Sequence, residues 1–435
     1  MAIISIMEKN NIIQTCTRIL FLCFVFFLPF HYALTFKFGF NIKISEVCIL
    51  ALILLLHKEI YSKILNLNFT EKCLGIFVIW ATISFIVNQF YHFTYPLSSV
   101  PQRFNAFYDS LSKLAYLIFI FVSFLISNIL NSHYKNEAIR YFETGIILAC
   151  LYTWYLSVVS IQEFSPYLLP GMDSFPQHSL LSFGHFIRSG TFKEGNHMGL
   201  ILLVGFFIGL KHKRWLLMLA CLTTILPTVS TMAIVCLLIV MALKIANVIY
   251  INKHYRWIII PVIFLFLSMG YLLNKNEDIQ LLVVQKIFPE KENTDYSKDW
   301  GAFSKAQRIN YIKVAWNIFK DNPIFGVGIS NYGLHFNHYN KFPETKYQKI
   351  KPYKPIVNNV YLEILSEQGL VGLLIFILFL GTIFIHQQSK NNRNIEMIGI
   401  LIYFIAYPSF TLLFIYWYFS QNTFIQPISK TRLLA

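Results

Sequence analysis

The chain has 435 residues, of which 56% are hydrophobic, 17% aromatic and only 13% charged, about half the charged fraction of an ordinary soluble domain. Lys and Arg outnumber Asp and Glu by 36 to 21, a formal charge of +15, but too few polar groups are left to cover a soluble surface of this size. These numbers exclude a soluble enzyme, a disordered protein and a basic nucleic-acid binder. They leave a protein that crosses a bilayer many times.

A spanning helix needs roughly 17–25 mostly apolar residues. Such stretches fall at 16–36, 43–56, 73–91, 111–130, 141–161, 197–210, 215–229, 231–251, 257–273 and 364–386. The first is long and aromatic (Phe21, Phe24, Phe26, Phe27, Phe30) with no small-residue cleavage site after it, so it reads as a retained span rather than a signal peptide. The stretch 396–419 reads as one long helix or as a hairpin broken near Pro408, with arms 396–407 and 409–419. The expected fold is therefore an all-α polytopic membrane protein with 11–12 transmembrane helices.

Lys and Arg in short loops set orientation. One set of loops carries Lys9, Arg18, Lys58, Lys63, Lys72, Lys135, Arg140, Lys211, Lys213, Arg214, Lys244, Lys253, Arg256, Lys390, Arg393, Lys430 and Arg432. The alternating set carries only Lys37, Lys43, Arg103, Arg188 and Lys193. The amino terminus is thus expected in the cytoplasm, and a twelve-span count puts the basic tail there too.

Residues 274–357 form one long loop on the outer side, between a first bundle (1–273) and the carboxyl-terminal helices and tail (358–435). Its aromatic residues (Trp300, Phe303, Trp316, Phe319, Phe325) argue for an ordered helical cap. All seven cysteines fall in or beside spans, so no disulfide is expected in that loop, and no Cys/His cluster has metal-ligand spacing. There is no P-loop, and no DxD-like acidic pair in an outer loop. No cofactor and no metal are expected.

Within the loop, Ser304-Lys-Ala-Gln307 has the form of a capping box. A helix is expected from there to about Lys320, stopped by Asp321-Asn322-Pro323. Ile312, Trp316 and Phe319 share one face of it, with Arg308 at the amino-terminal end of that face. The segment Asn322-Pro-Ile-Phe-Gly326-Val-Gly328-Ile-Ser-Asn331 follows, where two glycines permit close approaches and backbone angles closed to other residues.

The loop ends at Asn358-Asn359, either of which can cap the next helix and present its positive end to an anion. Glu363 and Glu367, four apart, share a face of that helix; for Glu367 a solvated charge is the expectation. A second constellation precedes the sixth span: Arg188-Ser-Gly-Thr-Phe-Lys193-Glu194-Gly-Asn196-His197. Charge and imidazole packed against a membrane helix are costly unless they pair or work. Arg188 can hold an anion, and Glu194 can pair with Lys193 or Arg188 or accept a proton from an attacking hydroxyl.

At these three places the chain resembles the O-antigen ligase/polymerase superfamily. The matching pieces are Arg188-Ser-Gly-Thr-Phe, Arg308 followed by Trp316-Asn-Ile-Phe-Lys-Asp-Asn-Pro-Ile-Phe-Gly-Val-Gly-Ile, and Asn359-Val-Tyr-Leu-Glu-Ile-Leu-Ser-Glu to Gly372, with weaker support from Thr228-Val-Ser230-Thr231. The resemblance implies action on undecaprenyl-pyrophosphate-linked glycans at the periplasmic face of a bacterial inner membrane, without metal or nucleotide. A polymerase adds the growing chain to the next lipid-linked repeat unit; a ligase moves the finished chain to lipid A core. Ligases typically carry His where this chain has Asn358, and Glu194-Gly-Asn-His197 looks more like polymerases, so a polymerase is expected.

On that expectation Arg188 and Arg308 stabilise the departing diphosphate, with Glu194 as first candidate base and His197 and His335 next. Asn196, Gly326, Gly328, His335, Asn358, Asn359 and Glu363 are candidate substrate-binding residues. Lipid-linked repeat units, membrane lipids and a chain-length regulator are the candidate partners, and nucleic acid is not. A flippase for the same lipid-linked glycan is the alternative from another class. It would place ionisable groups deep in its spans, whereas Glu46, Lys113 and Glu143 sit near predicted ends.

Overall fold

The computed structural model describes residues 11–37, 41–90, 105–162, 164–172, 178–181, 184–228, 230–251, 300–340, 355–386 and 394–423. In chain order the elements are α1 (Asn11–Phe27), β1 (Thr35–Lys37), β2 (Asn41–Lys43), α2 (Ile44–Leu55), α3 (His57–Leu65), α4 (Phe69–Phe90) and α5 (Ala106–Ile161). They continue with β3 (His178–Leu181), β4 (Gly184–Ile187), α6 (Gly195–His212), α7 (Trp215–Thr228) and α8 (Thr231–Ile251). The last are α9 (Trp300–Asp321), α10 (Tyr332–Tyr339), α11 (Val360–His386), α12 (Ile395–Tyr403) and α13 (Leu413–Thr423).

The protein is an all-α membrane protein, with two short antiparallel hairpins, β1–β2 and β3–β4, as its sheet structure among the described residues. Among the described residues, three stretches are long and apolar enough to cross a bilayer, namely Phe69–Gln89, Phe107–Ile161 and Val360–Ile385. Ile12–Phe27, Ile44–Leu55, Trp215–Ile225, Thr231–Asn247 and Ile395–Ala406 are shorter apolar helices. The expected span 257–273 and the loop segments 274–299 and 341–354 lie outside the described residues.

Several expected boundaries shift for identifiable reasons. The first apolar stretch is helical only to Phe27, because Pro29 cannot continue the ladder. The spans expected at 111–130 and 141–161 are parts of one 56-residue helical run, α5. A straight helix of that length would measure roughly 84 Å, and the contacts forbid it. Near one end Lys113 meets Glu363, and near the other Ser157 Oγ accepts from the Ile187 amide beside Arg188. Between them, Asn128 meets Glu71 and Glu137 meets Arg18. The run therefore turns back on itself, and its two arms match the two expected spans.

The same contacts define two ends of the bundle. At one, Arg18 pairs with Glu137, Lys63 with Glu71, Arg214 with Glu143 and Lys244 with Glu396. At the other lie Lys43, Glu46 and Tyr116, joined by bonds of 2.7–3.2 Å, together with Arg188 and α9. Between them is an aromatic-rich core in which Phe142 meets Trp417 at 4.5 Å and Phe77 meets Phe376 at 5.2 Å.

The carboxyl-terminal stretch is a hairpin, with a wider break than expected. α12 runs from the Glu396 end to Tyr403 and tightens into a 3-10 turn at Phe404–Ala406. The chain then passes through Tyr407–Leu412, and α13 returns to donate from Thr423 to Asn128 at 3.0 Å and accept from Asn131 at Ser420 at 2.9 Å.

α9 begins at Trp300, four residues before the expected Ser304. The helix runs through Ser304 rather than starting there, and the Gln307 amide donates to the Tyr311 hydroxyl at 2.7 Å. The expected end at Asp321 holds. The buried face also differs from expectation. Tyr311, Val314, Ala315 and Ile318 pack with Val327, Tyr332, Phe336 and Val357, whereas Ile312 and Trp316 are exposed. Tyr311, Ala315 and Ile318 follow Arg308 by three, seven and ten, so Arg308 still begins a stripe on the packed side.

The α9–α10 connection is pinned to α11. Gly369 has φ +70°, breaking the helical ladder, and the carbonyl of Ile324 occupies the space a Cβ there would need. The break exposes carbonyls that the connection uses. Val327 N–H donates to Ser366 (3.0 Å), Gly328 N–H to Glu367 (2.8 Å), and Leu370 N–H to Pro323 (2.8 Å). Gly326, with φ +64°, sits so close to Glu367 and Gln368 that any side chain would collide with their backbone.

Candidate active site

The β3–β4 hairpin delivers Arg188 to the start of α6. Its Nε donates to the carbonyl of Thr228, at the end of α7, at 2.9 Å. Gly195 makes that fit possible, because a Cβ there would stand 3.2 Å from both Arg188 Cβ and the Thr228 carbonyl. Thr191 fixes the turn by donating to the Pro29 carbonyl at 2.6 Å. Glu194 occupies the N-cap position of α6 but its side chain makes no cap bond. Its carboxylate instead lies 3.7 Å from His197 Nδ1.

Arg308 reaches the same place from α9. Arg188 lies within electrostatic reach of Arg308 and Glu194, and Arg308 within reach of Glu194 and the neutral Tyr403 hydroxyl. Burial first, and the neighbouring Arg308 second, push the Arg188 guanidinium below the usual arginine range, with Glu194 opposing. Burial lowers Arg308 as well, against Glu194 and Tyr403. Both remain cationic at any physiological pH. Arg308 is nonetheless exposed, so it is crowded by protein yet open to a ligand. Two like charges held together with a single carboxylate nearby leave a net positive site suited to an anion.

Asn196 is fixed by residues from two other helices. The Tyr403 hydroxyl donates to its carbonyl at 2.7 Å. Ser230 Oγ lies 3.1 Å from the Tyr403 hydroxyl and 3.4 Å from Asn196 Oδ1, so one serine proton serves two acceptors.

Arg188, Glu194, Asn196, His197 and Arg308 thus come together, as the order of the motifs suggested. Most of the other candidates are engaged by partners of their own. Asn359 is the N-cap of α11, its side chain accepting from the Leu362 amide at 3.0 Å, and Asn358 precedes it, half-buried. The Gly326 and Gly328 amides are spent on Asn322 and Glu367. His335 is buried on α10, and desolvation, then His338, lower its imidazole to about 4.

Glu363 faces Lys113 at 2.7 Å, and Lys113 also meets Glu367 at 2.7 Å. Glu367 is therefore not the solvated charge expected. It is 3% exposed and also accepts from the Ser330 and Tyr332 amides. A buried carboxylate needs such partners, and Lys113 supplies one from a helix 254 residues away in sequence.

Sequence reasoning missed Tyr403, Tyr407 and Lys113. Tyr403 and Tyr407 are four apart just before Pro408, two hydroxyls in an otherwise apolar run that ends at a helix breaker; that was the available signal.

Residues 198–377 match the family model described as O-antigen ligase. That match supports the O-antigen ligase/polymerase superfamily. The family is made up of glycosyltransferase-like enzymes. Arg308 and the α11 motif lie inside the matched stretch; Arg188, Glu194 and Tyr403 lie outside it. No curated protein matches the chain.

Proposed function

We propose that the protein is a surface-polysaccharide polymerase, transferring a growing glycan from a polyprenyl diphosphate carrier to the next lipid-linked repeat unit. The convergence of Arg188 and Arg308 on one carboxylate carries this reading. Cleaving a sugar–diphosphate bond leaves charge on the departing phosphate oxygen. Guanidinium forks bind such oxygens in pairs and are permanently charged, so two of them in a partly desolvated site stabilise the leaving group.

In the reaction an acceptor hydroxyl oxygen bonds to the anomeric carbon, and the bond from that carbon to the diphosphate breaks. Its electron pair leaves on the phosphate oxygen. The hydroxyl proton passes to the Glu194 carboxylate. Asn196, held by Tyr403 and Ser230, aligns the first turn of α6 behind Glu194.

The site lies at the end of the bundle opposite the Arg18, Lys63, Arg214 and Lys244 pairs. With basic loops on the cytoplasmic side, this reading puts the chemistry at the periplasmic face of the inner membrane. Lipid-linked repeat units are then the substrates, and a chain-length regulator is a candidate partner.

A second reading, an O-antigen ligase, is favoured by the description of the matching family. The identity of the lipid carrying the glycan separates the two. Arg188→Ala or Arg308→Ala in a polymerase leaves single repeat units on the cell surface. In a ligase, long chains accumulate on the polyprenyl carrier and none reach lipid A core. Normal ladders in both variants would defeat both readings.

A further inference from the structure

Beside the guanidinium pair lies a group of side chains that a diphosphate does not need. Tyr407 is fully buried, yet its hydroxyl has no hydrogen-bond partner among the described residues. Its ring meets His197 edge-on at 5.0 Å and Tyr403 at 5.6 Å. Nδ1 of His197 also lacks a hydrogen bond among the described residues, its nearest charge being Glu194 at 3.7 Å. Beyond His197, His31 lies 6.3 Å away and stacks on Phe192 at 5.4 Å.

Rings therefore line one side of the first turn of α6. A buried phenol hydroxyl is expected to have a partner, since an unmet one forfeits its hydration for nothing. Aromatic faces with a few placed polar atoms are the composition of a site for a small polar ligand with apolar surfaces, such as a sugar ring. Glu194 stands at the junction, its charge reaching Tyr407 on one side and both guanidiniums on the other.

We propose that Tyr407 and His197 form the acceptor subsite, binding a sugar ring of the incoming unit so that one of its hydroxyls faces Glu194. The inference rests on the polymerase reading above, in which the arginines hold the donor diphosphate. Tyr407 and His197 hydrogen-bond neighbouring oxygens of the acceptor ring, while Glu194 takes the proton of the attacking hydroxyl. The subsite draws on the carboxyl-terminal hairpin, so the site is complete only when that hairpin is packed against α6.

The test uses the purified full chain, with two probes: inorganic pyrophosphate for binding, and single-repeat polyprenyl-diphosphate units isolated from the source cell for transfer. Tyr407→Phe keeps the ring and removes only the hydroxyl. It should raise the half-saturating concentration of acceptor unit by about tenfold and leave the pyrophosphate dissociation constant within about twofold of wild type. Arg308→Ala should do the reverse, weakening pyrophosphate binding. An unchanged acceptor KM in Tyr407→Phe, or a loss of pyrophosphate affinity equal to that of Arg308→Ala, overturns the subsite. If Arg308→Ala leaves pyrophosphate binding intact, the reading of the guanidinium pair fails instead. A melting temperature for Tyr407→Phe equal to wild type ties a KM change to binding, and a fall only in maximal rate, in proportion to lost folded protein and with KM unchanged, counts against the subsite.

Discussion

Glu194 is the residue whose replacement separates binding from catalysis. In the free protein its carboxylate serves as counter-ion to two guanidiniums. A diphosphate bound between those guanidiniums must displace or repel it. At about 6 Å each unit charge pair is worth ~0.7 kcal/mol in water and ~2.8 kcal/mol at an effective dielectric of ~20. The Glu194 side chain is 46% exposed, so the screened value applies. Two ligand charges then give ~1.4 kcal/mol, roughly a tenfold change in dissociation constant.

Glu194→Gln should therefore bind pyrophosphate about tenfold more tightly than wild type, while transfer falls by roughly 10²-fold or more for want of a base. Calorimetric titration of the detergent-solubilised protein at low and at physiological salt measures the first, and release of polyprenyl diphosphate the second. The gain in affinity should shrink with salt. Unchanged or weaker pyrophosphate binding in Glu194→Gln would refute the counter-ion argument, whatever happened to turnover.

Arg308→Lys keeps the charge but loses the fork, so pyrophosphate binding should fall less than in Arg308→Ala while transfer falls nearly as far; a kinetic comparison of the two variants checks this. Lys113→Ala leaves Glu363 and Glu367 buried without their ammonium and should cost about 3–5 kcal/mol, read as a large drop in melting temperature. Lys113→Met combined with Glu363→Gln and Glu367→Gln should recover most of that loss. His335, lowered to about 4 by burial and His338, is neutral in the folded protein above that value, while the unfolded chain takes a proton below about 6.5. The packing of α10 should thus hold full strength above pH 6.5 and lose about 3 kcal/mol as the pH falls to about 4. Hydrogen exchange of the α9 and α10 amides reads the slope, which His335→Phe should flatten.

The parts of this fold that the sequence foretells are those governed by one local rule. Helices α2, α6, α7 and α8 follow from unbroken apolar runs ended by polar loops, and the stop at Asp321-Asn322-Pro323 follows from proline chemistry. Arg188, Glu194 and His197 were legible because charge and imidazole beside a membrane helix demand a reason.

What escaped depends on pairing across long separations. The buried role of Glu367 requires Lys113, the hold on Asn196 requires Tyr403 on the last hairpin, and the continuity of α5 requires the run 131–140 to stay helical despite its polar composition. The start of α9 escaped differently: the helix begins one turn before Ser304, at Trp300, and the Gln307 amide donates to Tyr311 four residues on.

The most direct test of the central claim is reconstitution of the purified protein in vesicles with polyprenyl-diphosphate-linked repeat units as the only substrate. Wild type should yield a ladder of glycan lengths, with one polyprenyl diphosphate released per added unit, and Arg188→Ala and Arg308→Ala should yield neither. A ladder of wild-type rate from either arginine variant would contradict the account.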